Sequence, residues 1–228
     1  MGHVSRRPPG MSGRPLAIAL LLVFSSAGCI AYKTSSIAPP TPGAMPAWLT
    51  HGSISIGADP YTDPERQKAA FDADFGEERI LAIQVFAQNG GDASVILRRS
   101  DVALVLPDGR RFAPAPADMV AARLHSAGKV LALTLGFGVV GAVAGTQAAS
   151  TEHQSRRTDY VWKELPAESR LLKDQSRHGF VYFMPPRGTP PFAEATLMVR
   201  LIDPQQRTVI PVSLTLTGLG FRGAKTDE

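Results

Sequence analysis

The sequence predicts a mainly β, antiparallel body with short helices and one glycine- and alanine-rich apolar helical insertion. Three observations carry this. Short runs rich in Val, Ile, Leu and Phe recur along the chain, some of them in strict apolar/polar alternation. They are separated by turn-forming residues such as Asn89-Gly90 and Asp108-Gly109. One stretch of 20 residues, Val130 to Ala149, carries no charge at all.

The chain opens on a targeting segment rather than on the body. Arg6, Arg7 and Arg14 precede the apolar run Leu16 to Phe24, which ends in the small residues Ser25-Ser26-Ala27-Gly28. Basic, then apolar, then small is the order of a secretory signal, so residues 1–28 are expected to be removed. Cys29, the only cysteine of the 228 residues, follows directly. Ala27-Gly28-Cys29 resembles the lipobox of bacterial lipoproteins, with Ser26 standing where that family usually carries Leu. The resemblance implies a diacylglyceryl group on the Cys29 sulfur and membrane lipid as its partner. An ordinary cleaved signal and an uncleaved anchor are the alternatives, but Leu16 to Gly28 is 13 residues, short of the ~20 that span hydrocarbon. Ile30, not Asp, comes after the cysteine. In Gram-negative lipoproteins this resembles the type sent to the outer membrane, facing the periplasm.

Residues 29–48 read as a tether. Pro39, Pro40, Pro42 and Pro46 keep it extended and exclude a helix, and its length would let the body stand off the lipid surface. The net charge of +4 suggests nucleic acid at first sight. The first 28 residues, however, hold three of the 24 basic residues and none of the 20 acidic ones, which leaves 21 against 20. That balance excludes an electrostatic footprint for nucleic acid. With one cysteine no intrachain disulfide can form, so the body must rely on packing.

The body is expected over residues 49–219. Ser53 to Ile56 is a short strand, and Asp63-Pro64 opens a helix to about Phe71, since an Asp cap followed by proline suits the first helical turn. Asp72, Asp74, Glu77 and Glu78 form an acidic turn. A calcium loop counted from Asp72 would need glycine where Glu77 stands, so no metal is assigned there. Ile80 to Ala87, Ser94 to Leu97 and Val102 to Leu106 are strands, joined by the Asn89-Gly90-Gly91-Asp92 turn and sent back at Pro107-Asp108-Gly109 through Arg111 and Phe112. Strands at this spacing argue for an antiparallel sandwich or barrel. Their order resembles the immunoglobulin-like sandwich of secreted immunoprotective antigens and of uncharacterised envelope lipoproteins. Short helices are expected at Pro116 to Leu124 and at Pro166 to Lys173. Three further strands cover His178 to Phe183, Thr196 to Ile202 and Thr208 to Thr217, the last at an edge because Pro211 cannot donate to a neighbour. Residues 220–228 read as a frayed tail.

Val130 to Ala149 interrupts this body. Gly136, Gly138, Gly141 and Gly145 mark it, and Gly141 and Gly145 have the small-xxx-small spacing that brings helices close in membranes. A span would leave half a sandwich on each side of a bilayer, each with unpaired strands. The segment is therefore read as a hairpin dipping into the bilayer or lying on it; a buried helix and a true span are the alternatives.

Candidate chemistry is sparse. The sequence has no Gly-x-Ser-x-Gly elbow, no His-Glu-x-x-His and no phosphate-binding glycine loop. His51, His125, His153 and His178 are scattered. His178 with Met184 is a weak copper pair, and His125 with His153 brackets the apolar segment. Tyr160 and Trp162 suit either an interfacial belt or core packing. Phe180, Tyr182 and Phe183 suit the core. The expectation is a non-enzymatic, lipid-anchored envelope protein with no cofactor and no metal, binding an envelope protein not identifiable from sequence. An oligomeric membrane-inserting protein that packs its copies through Gly136 to Gly145 is the alternative, and a hydrolase whose residues meet only in the fold is a third.

Overall fold

The computed structural model describes residues 32–33, 35–124 and 142–220, which fall in one compact unit beginning at Tyr32. The signal segment, Cys29, Gly136, Gly138, Gly141 and residues 221–228 lie outside the described residues. Gly145 falls within a described helix.

The described body is mainly β, with two antiparallel sheets. The first is ordered β1 (Ala47–His51), β2 (Ile54–Tyr61), β3 (Leu81–Asn89) and β7 (Ser176–Phe183). The second runs β5 (Arg111–Phe112), β4 (Val95–Val105), β8 (Ala195–Asp203) and β9 (Thr208–Leu216), with β6 (Glu168–Leu171) also paired to β4. One apolar cluster lies between them. Ile56, Ile83, Val85, Val181 and Phe183 enter it from the first sheet, and Leu97, Leu104, Leu197, Val199 and Leu214 from the second. Period-2 alternation selects these residues, because successive strand side chains point to opposite faces.

Three helices cover the other face of the first sheet. Helix α1 (Pro64–Phe71) starts as its sequence dictates: Asp63 Oδ1 accepts from Arg66 N at 2.8 Å, and Pro64 occupies the first turn. It ends at Asp72 in the left-handed conformation. Helix α2 spans residues 117–124, and helix α3 is Ala142–Lys163. Between helices and sheet lies a second cluster, made of Phe71, Phe75, Ala82, Val120, Tyr160, Phe180 and Tyr182. Strand β3 is thus covered on both sides, which explains why Ile80 to Ala87 is a nearly unbroken apolar run.

Several expectations hold. Asn89 turns the chain after β3 by accepting from Gly91 N and donating to Ala93 O. Gly109, with φ of 86°, makes the turn after β4. Strand β9 is an edge strand. Ser94 to Leu97 and Val102 to Leu106 are one strand rather than two, however. β4 is continuous, with a shift in its register against β8 between Leu97 and Val102, where the side chains of Arg98, Arg99 and Asp101 pair with Glu168, Glu164 and Arg200.

Two expectations are corrected. Pro166 to Lys173 is not a helix: its centre is β6, with Leu171 opposite Val95 and Ser169 opposite Leu97, because alternate residues Ser169 and Leu171 are buried while their neighbours face water. The tether does not stand free along its length either. Tyr32 and Ile37 pack against the helix-side cluster, and residues 47–51 form β1, which the sequence reading did not anticipate.

Candidate functional site

The C-terminal part of α3 crosses the outer face of β3 and β7, and Tyr32 and Ser35 to Ile37 of the N-terminal segment lie beside it. Helical geometry assigns the side chains. Tyr160 and Trp162, two residues apart, point roughly 200° from one another. Tyr160 is fully buried and donates its hydroxyl to Phe71 O at 2.8 Å, whereas Trp162 is 83 % exposed. Only one of the two is core, so they do not act as a pair.

Asp159 and Lys163, one turn apart on α3, form a buried ion pair. Tyr32 donates to the same Asp159 oxygen at 2.5 Å, with its ring edge-on to Tyr160 and beneath the Arg156 guanidinium. Lys163 also donates to Ala70 O at 2.5 Å and lies 3.4 Å from Ser35 Oγ, while Ser35 donates to Ala70 O at 2.9 Å. Burial pushes the Tyr32 phenol far above its ordinary range, and the hydrogen bond to Asp159 adds to it. The phenol is therefore a fixed donor that ties the N-terminal segment to α3. Because the lysine's donors go to Asp159, Ala70 and Ser35, and the Ser35 proton goes to Ala70, the pair is not arranged as nucleophile and base.

A cavity of about 230 Å³ opens where these parts meet. Ser35, Ser36 and Ile37 form one wall, Asp159, Trp162 and Lys163 the other, and Gln84, His178, Gly179 and Phe180 the floor. Gln84 is 4 % exposed, and its Nε2 is buried without a hydrogen-bond partner among the described residues. An unpaired buried amide is destabilising by about 1–3 kcal/mol, so native folds rarely retain one without a use. Gln84 is the one polar residue in Ile80 to Ala87, and that signal was available in the sequence. Alternation sets it on the face opposite Leu81, Ile83 and Val85, and the helices and the N-terminal segment cover that face.

His178 is half-buried. Burial lowers its imidazole below the ordinary value, and Arg177 beside it on β7 acts in the same direction. Asp159 and Lys163 of α3 line the same cavity and offset each other in charge. On acidification the unfolded chain takes up this proton first, so the contribution is complete above the ordinary imidazole range and is lost as pH falls through the lowered folded value. Thermal melts between about pH 7 and pH 5 are expected to show a shallower fall for His178→Gln than for the parent. An unchanged slope would assign the acid sensitivity elsewhere.

His178 and Met184 stand six residues apart along one extended segment, about 20 Å, so they cannot share a copper ion. Among the described residues no group of three or more His, Cys, Asp or Glu side chains is placed to hold a metal. His153 lies on α3, and His125 lies outside the described residues. Among the described residues no helix is long and apolar enough to cross a membrane; residues 130–141 of the apolar segment lie outside them, and 142–149 are the start of α3. A second concavity of about 130 Å³ is walled by Glu77, Glu78, Arg79, Arg123 and Arg187. Burial raises the Glu78 carboxyl there while Arg123 opposes the rise.

No protein-family model and no curated protein matches this sequence.

Proposed function

We propose that the chain is a lipid-anchored, non-enzymatic protein of the bacterial cell envelope whose immunoglobulin-like sandwich body works by binding. It is held at the outer membrane and faces the periplasm. The observation that carries this is the docking of the segment that follows Cys29: Tyr32 is fixed to Asp159 and packed on Tyr160, and Ser35 is fixed to Ala70. Three peptide links separate Cys29 from Tyr32, a stretch that spans at most about 11 Å. A lipid on Cys29 then keeps the body near the bilayer instead of at the end of a long tether. Two antiparallel sheets around one apolar cluster support the immunoglobulin-like reading. An open cavity floored by an amide that is unpaired among the described residues supports a binding role.

Metabolic labelling with palmitate in a Gram-negative host tests the anchor. The wild-type chain is expected to carry label and fractionate with outer membrane, and Cys29→Ser to carry none. An unlabelled wild-type chain would sink the proposal. If unlabelled Cys29→Ser still sediments with membrane, a second contact exists, and its loss on deleting Val130 to Ala149 would assign that contact to the apolar segment.

A further inference from the structure

We propose that the cavity over Gln84 and His178 is a binding site for a small neutral molecule carrying a secondary amide, with Trp162 stacking on its flat face. Four features of the site select that chemistry. The Nε2 of Gln84, on the floor, is buried and makes no hydrogen bond with the rest of the described protein. A secondary amide carries an acceptor and a donor on one planar group, so it can pair with a carboxamide whichever way round its oxygen and nitrogen stand. A neutral imidazole at His178, on the same floor, adds one further donor and one further acceptor.

Charge comes next. The two ionised side chains lining the cavity, Asp159 and Lys163, are paired with each other and with Tyr32 and Ala70. An ionised ligand would be desolvated there without a free counter-charge, which excludes carboxylates and phosphates in favour of neutral groups. Size is the third feature. At about 30 Å³ for each water, 230 Å³ holds roughly eight waters, the room needed by one ring with a short substituent. The fourth is Trp162, whose indole is 83 % exposed beside a polar cavity, a position that helix or core stability does not require.

The shared chemistry, an amide on a compact neutral body, occurs in N-acetylated amino sugars and in the peptide bonds of short uncharged peptides. The experiment separates the two. Nuclear magnetic resonance titration of the full mature chain carrying Cys29→Ser, with N-acetylglucosamine, N-acetylalanine methylamide and glucose as probes, follows the Gln84 side-chain amide and the Trp162 indole. At least one amide probe is expected to shift both signals, with a dissociation constant in the millimolar range, and glucose to shift neither. The stronger amide probe identifies the source; equal responses mean that the amide alone is recognised. Gln84→Leu removes a buried unpaired group at similar volume, so it is expected to fold and to bind at least tenfold more weakly. Trp162→Ala, at an exposed position, is expected to weaken binding without altering the melting temperature.

Three results overturn the proposal: no response to either amide, an equal response to glucose, or unchanged affinity in Gln84→Leu. The inference rests on the reading of the protein as a binding module. Its failure is distinguishable from failure of the anchor, because palmitate labelling does not depend on the cavity.

Discussion

Phe71→Ala is expected to lower the unfolding free energy by about 4 kcal/mol, the range for deleting a fully buried aromatic ring. Phe71 is wholly buried at the end of α1. Its ring stacks on Phe75 with centroids 4.5 Å apart and meets Phe180 edge-on at 4.8 Å, Tyr160 at 5.7 Å, and Tyr61 and Tyr182 at 6.1 Å. These neighbours come from the loop after α1, from α3, and from β2 and β7, so no one element can move in to fill the gap. The residual cavity adds to the lost transfer free energy. Urea unfolding should show the midpoint falling with little change in slope, and melting should drop by roughly 12 °C for a body of this size. A loss near 1 kcal/mol would mean that the helix layer collapses freely and that the ring is not its keystone. Because α3 forms one wall of the cavity, the same variant should also weaken any ligand held there.

The second large effect is expected from one methyl group. An ideal Cβ on Gly179 would stand 2.6 Å from Leu165 Cα, 2.7 Å from Leu165 N and 3.0 Å from Glu164 C. All three are backbone atoms of the chain leaving α3, and none can rotate away. Leu165 is itself fixed, since it is fully buried and its N–H donates to Phe180 O at 2.8 Å. Glu164 beside it accepts from Ala117 N and pairs with Arg99. Gly179→Ala therefore has to push β7 away from this crossing or break the Leu165 bond. Overpacking of this kind is destabilising by about 3 kcal/mol. The backbone at Gly179 is ordinary strand, so the effect comes from contact and not from a forbidden dihedral. Equilibrium unfolding checks it, and a change below about 0.5 kcal/mol, the range of ordinary surface substitutions, would show that the crossing yields.

Strands were the legible part of this sequence, and the reason is local. Ile210, Val212, Leu214 and Leu216 alternate with polar residues in β9, and both the edge position and Pro211 agree with the pairing found. The cap at Asp63-Pro64 and the turns at Asn89 and Asp108-Gly109 are likewise settled by neighbours a few residues away. What was not legible depends on distant partners. Leu171-Leu172 after Pro166 looks helical until β4 is present to pair with it. Ala47 to His51 follows a proline-rich stretch and becomes a strand only against β2. Gln84 stands on the face of β3 opposite Leu81, Ile83 and Val85, as alternation dictates. That the face lies beneath α3 and residues 35–37 follows from the docking of a segment almost fifty residues earlier and a helix some seventy-five residues later. Tyr160 and Trp162 are equivalent in sequence, and only the helix separates them into one buried and one exposed ring.

The pairing of β3 with β7 also governs the order in which the body is completed. Leu81 lies opposite Phe183 and Gln88 opposite Ser176, so the most apolar strand of the first sheet waits for a partner some ninety to one hundred residues further along the chain. Until that partner arrives, β3 is paired with β2 alone and presents a row of free amides beside an almost continuous apolar surface. Residues 125–141 emerge during the same interval. A chain that crosses a membrane unfolded, N-terminus first, would therefore pass through a stage in which a bare strand edge and an apolar stretch are exposed together, and self-association competes with closure. On the proposed export route, delivery is then the stage of greatest risk, and a holding chaperone would be needed there more than after the second sheet has closed.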